Sequence, residues 1–353
     1  MNHADPCRVI AAQIRGFASR LRLRRLNGGS TYSRAGIYTE CPRVRASARL
    51  ITMEIAMIGL GRMGANMAQR IARGGNRVVG YDPAEPARKA LEEKGCESAA
   101  SLEALVGKLK SPRAVWLMVP AGAITDSTIQ NLMPLLAPGD TIIDGGNSNY
   151  KDSQRRADTL KQRGINFVDS GTSGGVWGLT EGYSLMIGGD EAVCESLRPI
   201  FEALAPAKDK GWGRVGPVGS GHYTKMVHNG IEYGLMQAYA EGFSILQHKQ
   251  DFKLDLFQIA QIWRYGSVVR SWLLDLSANA LEKNPTLKGI APFVADSGEG
   301  RWTVADAIEL GVSAPIITLS LLERLRSRDN DSFTDKLLAA MRNQFGGHEI
   351  KKE

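Results

Sequence analysis

The chain is short of the residues that mark several common classes of protein. Its 353 residues include only four cysteines, Cys7, Cys41, Cys96 and Cys194, with no C-x-x-C pair. That scatter speaks against a disulfide framework or a zinc ribbon, and a reducing cytoplasm is the expected compartment. Histidine is scarcer still, five in all with no two at ligand spacing, so no metal site is expected. No apolar run approaches the eighteen or so residues that a membrane helix needs. With 43% hydrophobic and 23% charged residues the chain is not disordered throughout. The expectation is a soluble globular protein, long enough for two packed domains, with no membrane partner.

Lysine is missing from residues 1–52, where ten arginines stand against Asp5 and Glu40 alone. The chain's net charge of +7 therefore sits at the front, over a near-neutral body that offers no electrostatic footprint for nucleic acid. A targeting peptide, a polyanion-binding tail and an over-long start before Met53 compete as readings of this leader. Asp5, Glu40 and Gly28-Gly29 suit the first two poorly, so 1–52 is expected to be disordered or superfluous.

From Met53 the pattern changes. The apolar run Ile55 to Ile58 reads as a buried parallel strand, and it feeds Gly59-Leu60-Gly61-Arg62-Met63-Gly64 at the mouth of a helix. Met63, Met67 and Ile71 recur along that helix at helical spacing. In such a fingerprint the first glycine permits the tight turn, the second lets backbone N–H groups approach a pyrophosphate, and the third packs helix against strand. The helix N-terminus adds free donors and the positive end of the dipole. A second strand, Arg77 to Tyr81, ends in Asp82, at the spacing of the acid that grips an adenosine ribose. An aspartate there would repel a 2′-phosphate by roughly 1–4 kcal/mol, and Pro83, Ala84 and Glu85 supply no cation. NAD is expected, with NADP the poorer fit.

Further strands are expected at Ala114 to Val119, Thr141 to Asp144 and Tyr183 to Ile187, alternating with helices. Strand ends in open parallel sheets are where ligands bind. Three small-residue loops stand at such ends: Val119-Pro120-Ala121-Gly122, Asp144 to Ser148 with Asn147, and Asp169 to Gly175 with Ser173, Gly174 and Gly175. The fold expected is a doubly wound, mostly parallel α/β domain of the Rossmann type over 53–220. An all-α domain over 221–340 and a tail over 341–353 follow.

The first helix after Gly221 places Lys225, His228, Asn229 and Glu232 at offsets 0, 3, 4 and 7, one above another on a single face, with Tyr233 beside them. Met226, Val227, Ile231 and Leu235 flank that seam as expected burial contacts. A solvated Lys/Glu pair is one reading. Near a nicotinamide, a lysine of lowered pKa acting as base and a glutamate of raised pKa acting as acid is the other.

The run K-M-V-H-N-G-I-E-Y-G, with D-G-G-N-S, T-S-G-G and the C-terminal R-N-Q-F-G-G-H, resembles decarboxylating 6-phosphogluconate dehydrogenases, in their short single-repeat form, from Met53 to the end. The related 3-hydroxyisobutyrate-type dehydrogenases are the alternative. They are similar in G-L-G-x-M-G and in a catalytic lysine, but are not expected to carry H-N-G-I-E-Y. The resemblance implies Lys225 as base and Glu232 as the acid that protonates the enediol. It implies Asn147, Ser173, Gly174, Gly175, His228 and Asn229 as sugar-acid contacts, and Tyr233 and Arg324 as phosphate contacts. Arg342 and His348 would complete a neighbouring subunit's site, in a homodimer or homotetramer. Two departures stand out. Ser297-Gly298-Glu299-Gly300-Arg301-Trp302 occupies the place where longer members put a phosphate-binding lysine, so either Arg301 substitutes or Ser297 makes a neutral contact. The chain also lacks room for a duplicated helical domain.

Overall fold

Buried apolar strands alternating with amphipathic helices set the first half. The computed structural model describes residues 53–346 and 349–351; the leader, and His348 in the tail, lie outside the described residues. β1 (Glu54–Ile58), α1 (Arg62–Arg73) and β2 (Arg77–Tyr81) form the opening unit. α2 (Glu85–Glu92), β3 (Glu97–Ser98), α3 (Leu102–Gly107) and β4 (Ala114–Leu117) continue it. α4 (Ala123–Leu132), β5 (Thr141–Asp144), α5 (Tyr150–Lys161) and β6 (Asn166–Ser173) extend it further. The sheet is completed through α6 (Gly178–Glu181), β7 (Ser184–Gly188), α7 (Glu191–Ser196), α8 (Arg198–Leu204) and β8 (Trp212–Gly216). The strand order is β3-β2-β1-β4-β5-β6-β7-β8, parallel at every pairing except β6 with β7. Only the short link 174–183 joins those two, and it holds no crossover helix long enough to return the chain to a parallel start.

Helices cover both faces, so successive strand residues enter different cores. Ile55 and Met57 face one layer with Trp116, Met67, Ile71 and Phe201; Ala56 and Ile58 face the other with Val115, Leu117, Leu105 and Ile129. The strand order reverses at β1 and β4, which opens a crevice beyond their carboxyl ends.

Three details differ from expectation. β4 ends at Leu117, before Val119. Asp169–Ser173, expected as loop, is the second half of β6, because those small polar residues pair with β7 as far as Ser173–Ser184. β8 adds an edge strand that its glycine-rich, half-polar sequence conceals.

The second half is helical. α9 (Ser220–His248) runs 29 residues, about 43 Å. α10 (Leu256–Trp263), α11 (Trp272–Lys283), α12 (Glu299–Glu309), α13 (Pro315–Arg326) and α14 (Phe333–Gly346) follow. The start of α9 is locked to the sheet: the Asp169 carboxylate accepts from the backbone N–H of Gly219 at 2.7 Å and of His222 at 2.8 Å. Two glycines permit the close approach. A Cβ on Gly221 would stand 2.4 Å from the Met186 carbonyl oxygen, and one on Gly171 would stand 2.4 Å from Lys225 Cβ. Further along, α9 meets Thr303 of α12 at Gly230 and Ile316 of α13 at Gly234. The helical core is small, built on Ala260, Leu274, Ala278 and Leu281. Large apolar side chains remain open on this half, among them Val268 at 99%, Ile308 at 76% and Phe333 at 74% exposure.

Candidate functional site

The glycine turn is shaped from both sides. Gly59 adopts φ +88°, and a Cβ there would meet the Met118 carbonyl oxygen at 2.4 Å. A Cβ on Gly64 would stand 1.9 Å from the Gly59 carbonyl oxygen, so only glycine lets α1 start this close to the turn. Gly61, the N-cap of α1, has nothing within 4 Å of its Cβ position. The mouth of the helix is therefore open where a pyrophosphate would lie against free N–H groups. Asp82, at the end of β2, braces this turn: its carboxylate accepts from Leu60 N and from Ala84 N, each at 2.9 Å. Arg88 folds back on the Asp82 and Pro83 carbonyls at 2.6 and 3.0 Å.

The neighbouring loops hang on one guanidinium. Arg156 is buried on α5 and bonds Asp144 Oδ2 at 3.0 Å, Ser148 Oγ at 2.9 Å and Asp126 Oδ1 at 2.7 Å. It also reaches the Gly122 carbonyl at 3.4 Å. Asp144 in turn accepts from Ser148 Oγ at 2.7 Å and Gly146 N at 3.0 Å. This buried network sets both the 119–122 loop and the loop that carries Asn147.

A cleft of about 1420 Å³ opens over these loops. Gly61, Arg62, Met63 and Gly64 line one end, with Val119, Pro120, Ala121 and Asn147 beside them. Ser173, Gly174 and Gly175 approach from β6, and Lys225, His228, Asn229 and Glu232 from α9. Gly59, Leu60, Asp82, Tyr233 and Arg324 are not among the residues that line the cleft.

The α9 seam is asymmetric. Lys225, Asn229 and Tyr233 are buried, whereas the His228 and Glu232 side chains are 41% and 40% exposed at the cleft. Ile231 and Leu235, expected to be buried, are about half exposed and form part of the cleft wall instead. Lys225 Nζ donates to Asn229 Oδ1 at 2.7 Å and lies 3.4 Å from His228 Nδ1. His228 Nδ1 is 3.9 Å from Glu232 Oε2. Burial lowers the Lys225 amine from its ordinary value, against the opposing pull of the Glu232 and Glu299 carboxylates. A primary amine with less than its usual proton affinity, next to a carboxylate open to the cleft, can take a proton at one position and receive one at another.

The phosphate candidates form a separate cluster. The Arg324 guanidinium stacks 3.5 Å from the Tyr233 ring centre and donates to the Ala295 carbonyl at 2.9 Å. Arg301 is engaged by Asp296 at 3.1 and 3.2 Å, and Ser297 N donates to the Tyr233 hydroxyl at 3.3 Å. Arg342 is exposed on α14.

Several groups at or behind the cleft carry no local sequence signal. Ser271, the N-cap of α11, and Trp272, Leu273 and Leu276 within it form a wall of the cleft, and nothing in their local pattern points there. Tyr223 also lines it; its hydroxyl donates to Asp306 at 2.7 Å, and that bond holds the phenol up at about 12. Glu299, 2% exposed, lies behind Asn229 and accepts from its Nδ2 at 3.2 Å.

The model of the NAD binding domain of 6-phosphogluconate dehydrogenase matches residues 54–214, and that of the 6-phosphogluconate dehydrogenase C-terminal domain matches 221–344. The chain is 43% identical over 302 residues, 85% of its length and 99% of the relative's, to the NAD(+)-dependent, decarboxylating 6-phosphogluconate dehydrogenase of Haloferax volcanii. The Plasmodium falciparum 6-phosphogluconate dehydrogenase, solved with NADP+ and with 6-phosphogluconate, superimposes with a TM-score of 0.72 at 31% identity, covering 85% of this chain and 66% of that one. The Mycobacterium tuberculosis 3-hydroxyisobutyrate dehydrogenase, at 22% identity and a TM-score of 0.63 over 76% of this chain and 91% of that one, shares the fold alone. With both halves matched, the chain belongs to the 6-phosphogluconate dehydrogenase family.

Proposed function

We propose that this chain catalyses the oxidative decarboxylation of 6-phosphogluconate to ribulose 5-phosphate and carbon dioxide with reduction of NAD, in the pentose phosphate pathway of the cytoplasm. One observation carries the reading: the buried Lys225 and the open Glu232 share a cleft with the glycine turn at the sheet's switch point.

The open mouth at Gly61 and the carboxylate at Asp82 suit a dinucleotide without a 2′-phosphate. NAD, held at the Gly61 turn and by Asp82, would supply the hydride acceptor for C3 of the sugar acid. Lys225 as free amine accepts the C3 hydroxyl proton, which leaves a 3-keto acid. The bond between C1 and C2 then breaks, carbon dioxide departs, and the electron pair stays behind as an enediol. Lys225, now an ammonium, donates to the developing oxyanion. Glu232 delivers the proton to the carbon that lost carbon dioxide. Asn147, Ser173, Gly174, Gly175, His228 and Asn229 hold the sugar acid, and Arg324 beside Tyr233 takes its phosphate. A guanidinium is the natural partner of a phosphate dianion.

Arg342 and His348 of a second copy complete the site in a homodimer or homotetramer. The open apolar residues of the helical half, Val268, Ile308 and Phe333 among them, support such an assembly. Initial rates with 6-phosphogluconate and with 3-hydroxyisobutyrate, each with NAD and NADP, test the reading. Turnover of 6-phosphogluconate with NAD preferred is expected; turnover of 3-hydroxyisobutyrate alone overturns it.

A further inference from the structure

Behind the cleft stands a carboxylate that the reaction as written does not use. Glu299 opens α12 between Gly298 and Gly300, and it is 2% exposed. Its Oε1 accepts from Asn229 Nδ2 at 3.2 Å, while its Oε2 is buried without a partner among the described residues. On the other side of the same carboxamide, Asn229 Oδ1 accepts from Lys225 Nζ at 2.7 Å. Amine, carboxamide and carboxylate thus form one buried line across α9 and α12. An isolated carboxylate is costly to bury, and the Lys225 amine, one carboxamide away, feels its charge.

We infer that Glu299 is a positioning residue for Lys225: it fixes the Asn229 carboxamide with its oxygen toward Nζ, and it is the buried negative charge against which Lys225 gains and loses its proton. The inference rests on Lys225 being the base of the proposed reaction. A carboxamide offers one acceptor end and one donor end, so a carboxylate at Nδ2 leaves only one orientation, with Oδ1 facing the amine.

The other charged groups around Lys225 are already engaged or open to solvent. On its own helix, His228 and Glu232 face the cleft. From β6, the Asp169 carboxylate is held by Gly219 N and His222 N. From α12, Asp306 is taken by Tyr150 of α5 and by Tyr223, and His222 pairs with Ser153 of α5. Asp296, just before α12, binds Arg301 and Arg328. Glu299 is the carboxylate on this side whose remaining oxygen stays unmatched.

Glu299→Gln keeps the size and the acceptor but removes the charge and the constraint on Asn229; Glu299→Asp keeps the charge. Two readouts are taken on the full chain: the pH profile of kcat/KM for 6-phosphogluconate, and the pH dependence of Lys225 acetylation by acetic anhydride, followed by peptide mass spectrometry. Loss of a carboxylate that favours the ammonium form is expected to move both curves to lower pH by about one unit. Glu299→Asp is expected to move them at least halfway back, and the KM for NAD is expected to hold. Unchanged curves in Glu299→Gln overturn the inference. The acetylation curve needs no turnover, so it still reads Glu299 if 6-phosphogluconate proves not to be the substrate. Unfolding of Glu299→Gln at the temperature of the assay, with Glu299→Asp folded but its acetylation curve displaced as though uncharged, also counts against it.

Discussion

Replacing Gly64 by alanine would set a methyl group 1.9 Å from the Gly59 carbonyl oxygen and 3.2 Å from Met118 Cβ. Real Cβ atoms essentially never come within 3.0 Å of such a neighbour, so α1 must retreat by about 1 Å. Overpacking of this kind costs about 1–3 kcal/mol, offset by up to about 1 kcal/mol from alanine's better helix propensity. The net loss of about 1–2 kcal/mol should lower Tm by roughly 1–3 °C at this chain length. Gly61→Ala is the control three residues away. Its new methyl meets nothing within 4 Å, and its φ of −61° suits alanine. Tm should therefore hold to within about 1 °C, while the methyl enters the space a pyrophosphate needs and weakens NAD by about tenfold or more, some 1.4 kcal/mol. Calorimetric unfolding without cofactor and isothermal titration with NAD measure both quantities. Wild-type NAD affinity in Gly61→Ala, or wild-type Tm in Gly64→Ala, would refute this account of the turn.

Asp82→Asn keeps an acceptor for the turn but removes the charge, and it should shift the ratio of kcat/KM between NAD and NADP toward NADP by about 5- to 30-fold, or 1–2 kcal/mol; steady-state rates with each cofactor check this. Burial lowers the Lys225 amine, so the acid limb of kcat/KM should lie below the ordinary lysine value of 10.5 and rate should fall as pH drops through it. The linkage has the matching sign. Between the lowered value and 10.5 the unfolded chain binds more protons than the folded one, so stability rises with pH across that window, and Lys225→Met should lose this rise in urea titrations at stepped pH. Arg156→Leu strands the buried Asp144 without its cation and should destabilise by about 3–5 kcal/mol, read as a fall in the urea midpoint.

The strands most legible in the sequence are those buried on both faces. Arg77–Tyr81 and Thr141–Asp144 fall where their apolar runs lie, because helices on either side demand an unbroken hydrophobic stretch. β6 and β8 hid because D-S-G-T-S and W-G-R-V-G carry no such run; pairing with their neighbours holds them. The α9 offsets correctly brought Lys225, His228, Asn229 and Glu232 to one side of the helix. They said nothing of depth, which is set by Gly171 against Lys225, by Gly221 against the backbone of β6 and β7, and by the open cleft beside Glu232. Glu299 was out of reach for the same reason. A glutamate between two glycines reads as solvent-facing, and its burial depends on Gly300 fitting beneath the Tyr233 ring, where a Cβ would stand 2.4 Å from the ring edge.

Reduced cofactor and released carbon dioxide, counted together in one reaction of the full chain with 6-phosphogluconate and NAD, test the central claim most directly. One carbon dioxide for each NADH is expected from a lysine that takes the C3 hydroxyl proton as hydride passes to NAD, and a glutamate that completes the proton transfer after decarboxylation. NADH without carbon dioxide would contradict it and leave a plain hydroxyacid dehydrogenase.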